Sequence, residues 1–255
     1  MRLDGKTAIV TGAGRNIGEA VGHLFVAEGA KVALIDVRLD AVQQVADDIN
    51  AVNPGSAIAI ACDVSSSSDV EAMVKEVVSQ FRSVDILVNN AAITDHTPCI
   101  DLEEDEWDRV IDVTLKSVFL TCKYVGRQLK QQGSGGRIIN VASTSGHRGR
   151  ADATAYSAAK GGVLNLSRSL AIQFAAFNVR VNSLTPNRIG SPVGQETIPT
   201  EGRGITNLVG RQGMPPDIAN AALFLASADS DFIAAADLLV DGGSLAGGMP
   251  TSPGL

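Results

Sequence analysis

The sequence predicts one α/β domain, residues 1–255, built on a doubly wound parallel sheet of about seven strands with helices on both faces. Two observations lead to this fold class. Short β-rich runs alternate with helical periodicity along nearly the whole chain, and most of these runs are apolar on both faces, as in parallel strands that helices cover. No internal repeat and no change of composition marks a linker, which favours a single domain.

The predicted strands and helices follow one another in order along the chain. The strands are short apolar runs, namely Lys6–Thr11, Lys31–Asp36, Ala57–Cys62, Asp85–Asn89, Arg137–Ala142, Val179–Leu184 and Leu238–Val240. The helices are segments of helical spacing, namely Asn16–Ala27, Leu39–Asn50, the segment from the serine run Ser65–Ser68 to Gln80, Asp105–Gln131, and the helix that contains Tyr156 and ends near Phe177. A glycine-rich run after Gln131 ends the fourth helix.

Residues 187–213 interrupt this alternation. They are rich in Gly, Pro, Ser and Thr and show no firm periodicity. An irregular stretch of this length inside a compact domain is usually functional, so we expect a substrate lid or a mobile loop there.

Composition and charge argue against several classes of function. Hydrophobic residues make up 45% of the chain, which is enough for a substantial core. The net charge of −7 and the pI near 5.0 argue against binding to nucleic acid or to an anionic membrane. No apolar run approaches about 18 residues and no signal segment follows Met1, so we expect a cytoplasmic protein without a membrane span.

The sequence predicts no metal site. The three cysteines, Cys62, Cys99 and Cys122, have no metal-ligand spacing and cannot form an even disulfide framework. The acidic run 101–108 is better interpreted as the solvated start of the fourth helix, where carboxylates stabilise the N-terminus.

A glycine-rich turn, Thr11–Gly18, joins the first strand to the first helix. Glycines in such a turn let the backbone approach a pyrophosphate, and the helix N-terminus supplies free N–H groups, although a tight turn alone could have the same composition. No Gly-Lys-Ser/Thr follows, which argues against a nucleoside triphosphatase. Asp36 ends the second strand, where a carboxylate binds ribose hydroxyls and repels a 2′-phosphate. NAD is therefore favoured over NADP, although Arg15 in the turn is compatible with a 2′-phosphate.

Tyr156 and Lys160 lie one helical turn apart, so their side chains leave the same face of the helix. An ammonium about 4 Å from a phenol could favour the phenolate by roughly 4 kcal/mol, which would lower the phenol pKa by about three. Ser143, at the end of the fifth strand, could hold a substrate oxygen together with Tyr156. By itself the pair is better explained by an aromatic core contact beside a solvated lysine, so the catalytic interpretation depends on the rest of the chain.

The chain resembles the short-chain dehydrogenase/reductase family over about residues 3–243. The matching pieces, in order, are Thr11-Gly12 with Gly18, Cys62-Asp63-Val64, Asn89-Asn90-Ala91-Ala92, Ser143, Tyr156 with Lys160, Asn182 with Pro186, and Val240-Asp241-Gly242-Gly243. The resemblance implies a Rossmann-type sheet, a nicotinamide cofactor, and a homotetramer, with a dimer as the alternative. It also implies Ser143, Tyr156 and Lys160 as catalytic residues.

The same resemblance implies a set of cofactor-binding residues. Asp63 and Val64 would flank the adenine, residues 90–92 would line the ribose and nicotinamide side, and Lys160 would hold the nicotinamide ribose. The full set is Gly12, Arg15, Asn16, Ile17, Gly18, Asp36, Asp63, Val64, Asn90, Ala91, Ala92, Tyr156, Lys160, Pro186, Ile189 and Ser191.

Two of the departures from the family pattern fall in the phosphate turn and in the catalytic set. Asn16 stands where the family has the middle glycine of the phosphate turn, and Asn tolerates the left-handed backbone well. Thr114 stands where the family has the Asn that completes a catalytic tetrad by holding a water linked to the Lys. Thr114 is the expected fourth catalytic residue, but it lacks a carboxamide.

We expect a small-molecule alcohol or carbonyl as substrate. The candidate substrate residues are Thr94, His96, Ser145, His147, Arg150, Ala153 and Arg188. The leading hypothesis is an NAD-dependent dehydrogenase that oxidises a secondary alcohol of a small polar, sugar-like or anionic substrate. The alternatives are an NADPH-dependent carbonyl reductase, such as a 3-oxoacyl thioester reductase, and a catalytically silent nucleotide-binding protein.

Overall fold

A computed structural model describes residues 1–191, 193 and 207–247. Its seven strands form one sheet of order β3-β2-β1-β4-β5-β6-β7, and every neighbouring pair is parallel. The strands are β1 (Thr7–Thr11), β2 (Lys31–Asp36), β3 (Ala57–Ala61), β4 (Ile86–Asn89), β5 (Gly136–Val141), β6 (Val179–Pro186) and β7 (Asp237–Val240). This confirms the predicted fold class.

Helices cover both faces of the sheet. They are α1 (Asn16–Ala27), α2 (Leu39–Val52), α3 (Ser67–Phe81), α4 (Glu104–Ile111), α5 (Ser117–Gln132), α6 (Thr154–Phe174) and α7 (Pro215–Ala226). One apolar core lies between the sheet and α1, α2 and α7, and the other lies between the sheet and α3, α5 and α6. Successive residues of β1 alternate between them, since Ala8 and Val10 face the first core and Ile9 faces the second. Each fully buried aliphatic side chain contributes about 1.5–3 kcal/mol.

The order of the strands places a crevice beside β1. The chain builds outward from β1 through β2 to β3, then returns to the other side of β1 with β4. Ligands of open α/β sheets bind at such a reversal, beyond the carboxyl ends of the strands. The loops after β1 and β4 therefore diverge around a ready-made cleft.

Two helical features differ from the sequence prediction. The predicted helix Asp105–Gln131 is divided into α4 and α5 by a π-helical turn, Asp112–Lys116. Helix α7 was not predicted, although its start carries a visible pattern: two prolines at its first positions, and Asp217, whose carboxylate accepts the Met214 N–H at 2.8 Å. The strands and the other helices agree with the prediction to within about two residues at each end, except that α6 ends at Phe174 and a 3-10 turn continues to the predicted end near Phe177.

Much of the predicted lid, 187–213, lies outside the described residues; 187–191, 193 and 207–213 lie within them. Of the helices in the described ranges, none is both long and apolar enough to cross a membrane.

Candidate active site

A cavity of about 1120 Å³ opens at the carboxyl ends of β1, β4 and β5. Asp36 and Asp63 line one end of it, and Ser143 and Tyr156 line the other. The volume is at the upper end of the range of small-molecule sites, so it suits a large cofactor together with a small substrate.

Close packing of the backbone explains the glycines of the turn after β1. Gly12 has φ +63°, and a Cβ there would lie 2.9 Å from the Ala91 Cα. A Cβ on Gly18 would collide with the carbonyl oxygen of Gly12. A side chain at either position would force the tight turn away from its backbone neighbours, so the glycines preserve the turn that fits the phosphate part of a dinucleotide.

The ends of β1 and β4 are tied together beside this turn. The Thr11 hydroxyl accepts the N–H groups of Asn90 and Ala91 at 3.0 and 3.1 Å. The Asn90 amide donates to the carbonyl oxygens of Thr11 and Gly12 at 3.1 and 3.0 Å. Asn90 thus fixes the shape of the cleft as well as lining it.

Asn16 takes the left-handed backbone conformation, with φ +54°, that its sequence position requires. Its amide donates to the Ser191 carbonyl at 3.1 Å and to the Ser191 hydroxyl at 3.3 Å. A Cβ on Gly190 would collide with the Asn16 amide oxygen. Where the family pattern has a glycine, this chain therefore has a tether across the cleft to the loop after β6.

The Asp36 carboxylate is held in place by two backbone N–H groups, those of Gly14 at 3.2 Å and Arg38 at 3.1 Å. Arg15 and Arg38 line the same end of the cavity. One fixed anion and two guanidinium groups therefore surround the position expected for the adenosine ribose.

Ser143, Tyr156 and Lys160 come together at the end of β5. The Ser143 side chain lies close enough to Tyr156 to lower the pKa of the phenol, and its oxygen accepts the Ser145 N–H at 3.1 Å. The Lys160 ammonium donates to the Val141 carbonyl at 2.6 Å and lies 5.7 Å from the centre of the Tyr156 ring. Tyr156 and Lys160 are both buried.

The sequence predicts that Lys160 lowers the pKa of Tyr156, but burial has the larger effect. Burial raises the pKa of Tyr156 above its ordinary value, while the hydrogen bond from Ser143 and the charge of Arg150 lower it less. Burial also lowers the pKa of Lys160 to about 7, so the ammonium is itself close to losing its proton at neutral pH. The Tyr156 phenol is therefore protonated near neutrality.

The family model described as enoyl-(acyl carrier protein) reductase matches residues 12–244. The chain is 34% identical to sorbitol dehydrogenase of Cereibacter sphaeroides, with 96% of this chain and 99% of that one covered. It is also 34% identical to 3-oxoacyl-(acyl-carrier-protein) reductase of Thermotoga maritima, over 95% and 99% of the two chains. A solved structure of a putative short-chain dehydrogenase/reductase from Burkholderia xenovorans superposes with a TM-score of 0.89 and 38% identity, covering 96% and 98%.

The chain belongs to the short-chain dehydrogenase/reductase family. It is an oxidoreductase whose family uses a nicotinamide cofactor, and the glycine turn and the cavity fit such a cofactor.

Most of the expected cofactor residues of this dehydrogenase/reductase line the cavity. Gly18 and Lys160 do not; Gly18 packs under the turn, and Lys160 lies behind Tyr156. The cavity-lining members are Gly12, Arg15, Asn16, Ile17, Asp36, Asp63, Val64, Asn90, Ala91, Ala92, Tyr156, Pro186, Ile189 and Ser191.

Thr114 does not line the cavity. It is fully buried in the π turn, where its hydroxyl donates to the Ile93 carbonyl at 2.8 Å and accepts the Ile93 N–H at 3.1 Å. Thr114 thus clamps the loop after β4. We expected Thr114 to lie beside the reacting groups. In the structure it instead holds the backbone of Ile93 in position.

Two of the expected substrate residues lie outside the cavity. His147 turns away, and its Nε2 lies 2.8 Å from an Asp237 carboxylate oxygen at the start of β7. Ala153 is fully buried against Tyr156. The others line the cavity, namely Thr94, His96, Ser145, Arg150 and Arg188.

Sequence reasoning missed two residues near Tyr156. Arg109, on α4, lines the substrate end of the cavity. Asp95 is fully buried, and its two carboxylate oxygens accept the N–H groups of Ala155 and Tyr156 at 3.0 and 2.9 Å. The helix's own N-cap, Ala153, has no capping side chain, so Asp95 caps α6 from a loop 60 residues earlier. No local pattern could indicate that contact.

Within the described ranges, no three His, Cys, Asp or Glu side chains are grouped as metal ligands would be.

Proposed function

We propose that this protein is an NAD-dependent dehydrogenase that reversibly oxidises a secondary alcohol of a small polar, polyol-like or anionic substrate. The observation that carries the proposal is that Ser143 and Tyr156 line the same cavity as the glycine turn.

In the proposed reaction, Ser143 and Tyr156 hold the substrate oxygen between them. A nicotinamide in this cavity would accept a hydride from the carbinol carbon or return it to the carbonyl. Since burial keeps the phenol protonated near neutrality, Tyr156 is poised to donate its proton to a carbonyl oxygen in reduction. In oxidation Tyr156 accepts the hydroxyl proton, and the nearby charge of Arg150 favours the phenolate that must form first.

The preference for NAD rests on Asp36. Its carboxylate is held where ribose hydroxyls could donate to it, and it would repel a 2′-phosphate. Arg15 and Arg38 lie at the same end and would favour the 2′-phosphate of NADP. We weight the carboxylate more heavily because its backbone partners fix it in place.

The substrate class rests on the relatives and on the polar cavity. The similarity to sorbitol dehydrogenase supports a polyol. The competing proposal, an NADPH-dependent reductase of 3-oxoacyl thioesters, is supported by the similarity to the Thermotoga maritima reductase. Rates with polyols, sugar acids and 3-oxoacyl thioesters, each with both cofactors, would separate the two.

The test of the chemistry is Tyr156→Phe. It should abolish turnover, because no group remains to move the proton, and it should leave NADH binding within about threefold in a fluorescence titration. Retained turnover would refute the assignment. Absence of NADH binding to the wild-type protein would instead favour a different ligand, and NADH binding without turnover of any substrate would favour a catalytically silent nucleotide-binding protein.

A cytoplasmic homotetramer completes the proposal, with a dimer as the alternative. Large apolar side chains on α5 and α6 support an assembly, since Phe119 is 47% exposed and Ile172 is 77% exposed. Light scattering after size-exclusion chromatography would give the number of subunits.

A further inference from the structure

The substrate end of the cavity is basic, although the protein as a whole is acidic. The chain has a net charge of −7. Yet Arg109, Arg148 and Arg150 line this end, and Arg188 lines the same cavity from the loop after β6. The carboxylates among the described lining residues, Asp36 and Asp63, both lie at the adenosine end. Among the described lining residues, the substrate end therefore has arginines without a carboxylate, whereas the adenosine end has both carboxylates and guanidinium groups.

The arginines differ in how firmly they are held. The Arg109 side chain makes no hydrogen bond or ion pair within the described ranges of the chain. Arg150 pairs with Asp152 at 3.3 Å, and both side chains are more than a third exposed, so this pair is weak and can exchange its partner. Arg148 donates to the Ser244 hydroxyl at 3.2 Å, which holds it at the rim.

The surroundings strengthen the effect of these charges on anything bound there. Ile93, Val113 and Val193 line the same part of the cavity, and apolar walls focus the field of nearby charges. Arg150 is also close enough to Tyr156 to lower the phenol's pKa. A group bound by Arg150 would therefore lie in the same cavity as the Tyr156 phenol.

We propose that Arg109 and Arg150 form an anion subsite, which binds a carboxylate or phosphate carried by the hydroxy substrate. The inference rests on the proposed dehydrogenase function and makes its substrate class more specific. Two guanidinium groups can each make paired hydrogen bonds to the oxygens of such a group, which a neutral polyol cannot match in strength. The subsite would select hydroxy acids or phosphorylated polyols over neutral polyols.

The test compares three substrates of equal chain length: a neutral polyol, the corresponding sugar acid and the polyol phosphate. In the wild-type protein, kcat/KM should be higher for one of the anions and should fall with added salt, while the value for the polyol stays nearly constant. Arg109→Gln should raise the KM for that anion about tenfold to a hundredfold and leave the KM for the polyol within about twofold. The better anion identifies carboxylate or phosphate as the group recognised.

Arg82→Gln is the matched control, because Arg82 is exposed at the end of α3 and does not line the cavity. It should leave all three KM values unchanged. Equal KM changes for anion and polyol in Arg109→Gln, or no preference for either anion, would overturn the subsite.

If no substrate in the panel is oxidised, that result counts against the proposed function. The anion subsite can still be tested by a binding measurement that needs no turnover. Trp107 is the single tryptophan and lies two residues before Arg109 on α4. Inorganic sulfate, titrated at constant ionic strength, should change Trp107 fluorescence saturably in the wild-type protein and in Arg82→Gln, but not in Arg109→Gln. A response that survives in Arg109→Gln, or is absent from the wild type, would overturn the subsite.

Discussion

Replacing Asp95 should impair both the stability of this enzyme and its catalytic step, because this carboxylate holds the backbone of Tyr156 in place. Asp95→Ala leaves the N–H groups of Ala155 and Tyr156 buried without an acceptor. Hydrogen bonds to a charged group contribute about 1.5–3 kcal/mol each, so we expect a loss of roughly 3–6 kcal/mol in the free energy of unfolding. At about 2 °C per kcal/mol for a chain of this size, Tm should fall by roughly 6–12 °C.

Asp95→Asn should lie between the wild type and Asp95→Ala. Its single carbonyl oxygen can still accept one of the two N–H groups, so about half of the stability should return. Turnover should follow the same order, with a lower kcat and a nearly unchanged KM for NAD, because the phenol and not the cofactor end is displaced.

Leu129→Ala separates positioning from simple destabilisation. Leu129 is fully buried in the core beneath α5, away from the cavity, and its truncation should cost about 2–5 kcal/mol. Both variants would be assayed well below their Tm, with stability measured by urea denaturation. If Leu129→Ala lowers kcat as much as Asp95→Ala, or if Asp95→Asn rescues stability but not kcat, the positioning role is refuted.

Three further predictions address the cofactor end and the buried lysine. Asp36→Ala should lower kcat/KM for NAD about tenfold or more and raise the ratio of NADP to NAD activity, because Arg15 and Arg38 remain; an unchanged ratio would contradict the proposed preference. Asn16→Gly should weaken NADH binding roughly threefold to tenfold in a fluorescence titration, since two hydrogen bonds to the loop after β6 are lost, and unaltered affinity would mean that the tether is irrelevant. Lys160 has a pKa of about 7 in the folded protein and an ordinary pKa of 10.5. Between these pH values the unfolded chain therefore binds more protons than the folded one. The free energy of unfolding should rise with pH across that window. Urea denaturation at pH 7.5 and 9.5 should show that rise in the wild type and a smaller one in Lys160→Met; equal rises would contradict it.

The residues alone determined the fold and the order of the site's main parts. Apolar β-rich runs alternate with segments of helical periodicity. This pattern specifies a parallel sheet with helices on both faces, because each segment must bury its own apolar face. Gly12 and Gly18 were predictable for a local reason, since only glycine fits where the backbone packs so tightly. Tyr156 and Lys160 were predictable because one helical turn separates them.

Only the tertiary packing determined the contacts between distant segments and the electrostatics of the site. The Asp95 cap and the pairing of His147 with Asp237 join segments that lie 60 to 90 residues apart, so no local pattern contains them. The direction of the Tyr156 pKa shift depends on how deeply the ring is buried, and this outweighs the charges around it. Burial and contacts over long sequence distances are properties of the folded chain, which is why the chemistry of this site could be outlined from its residues but its electrostatics could not.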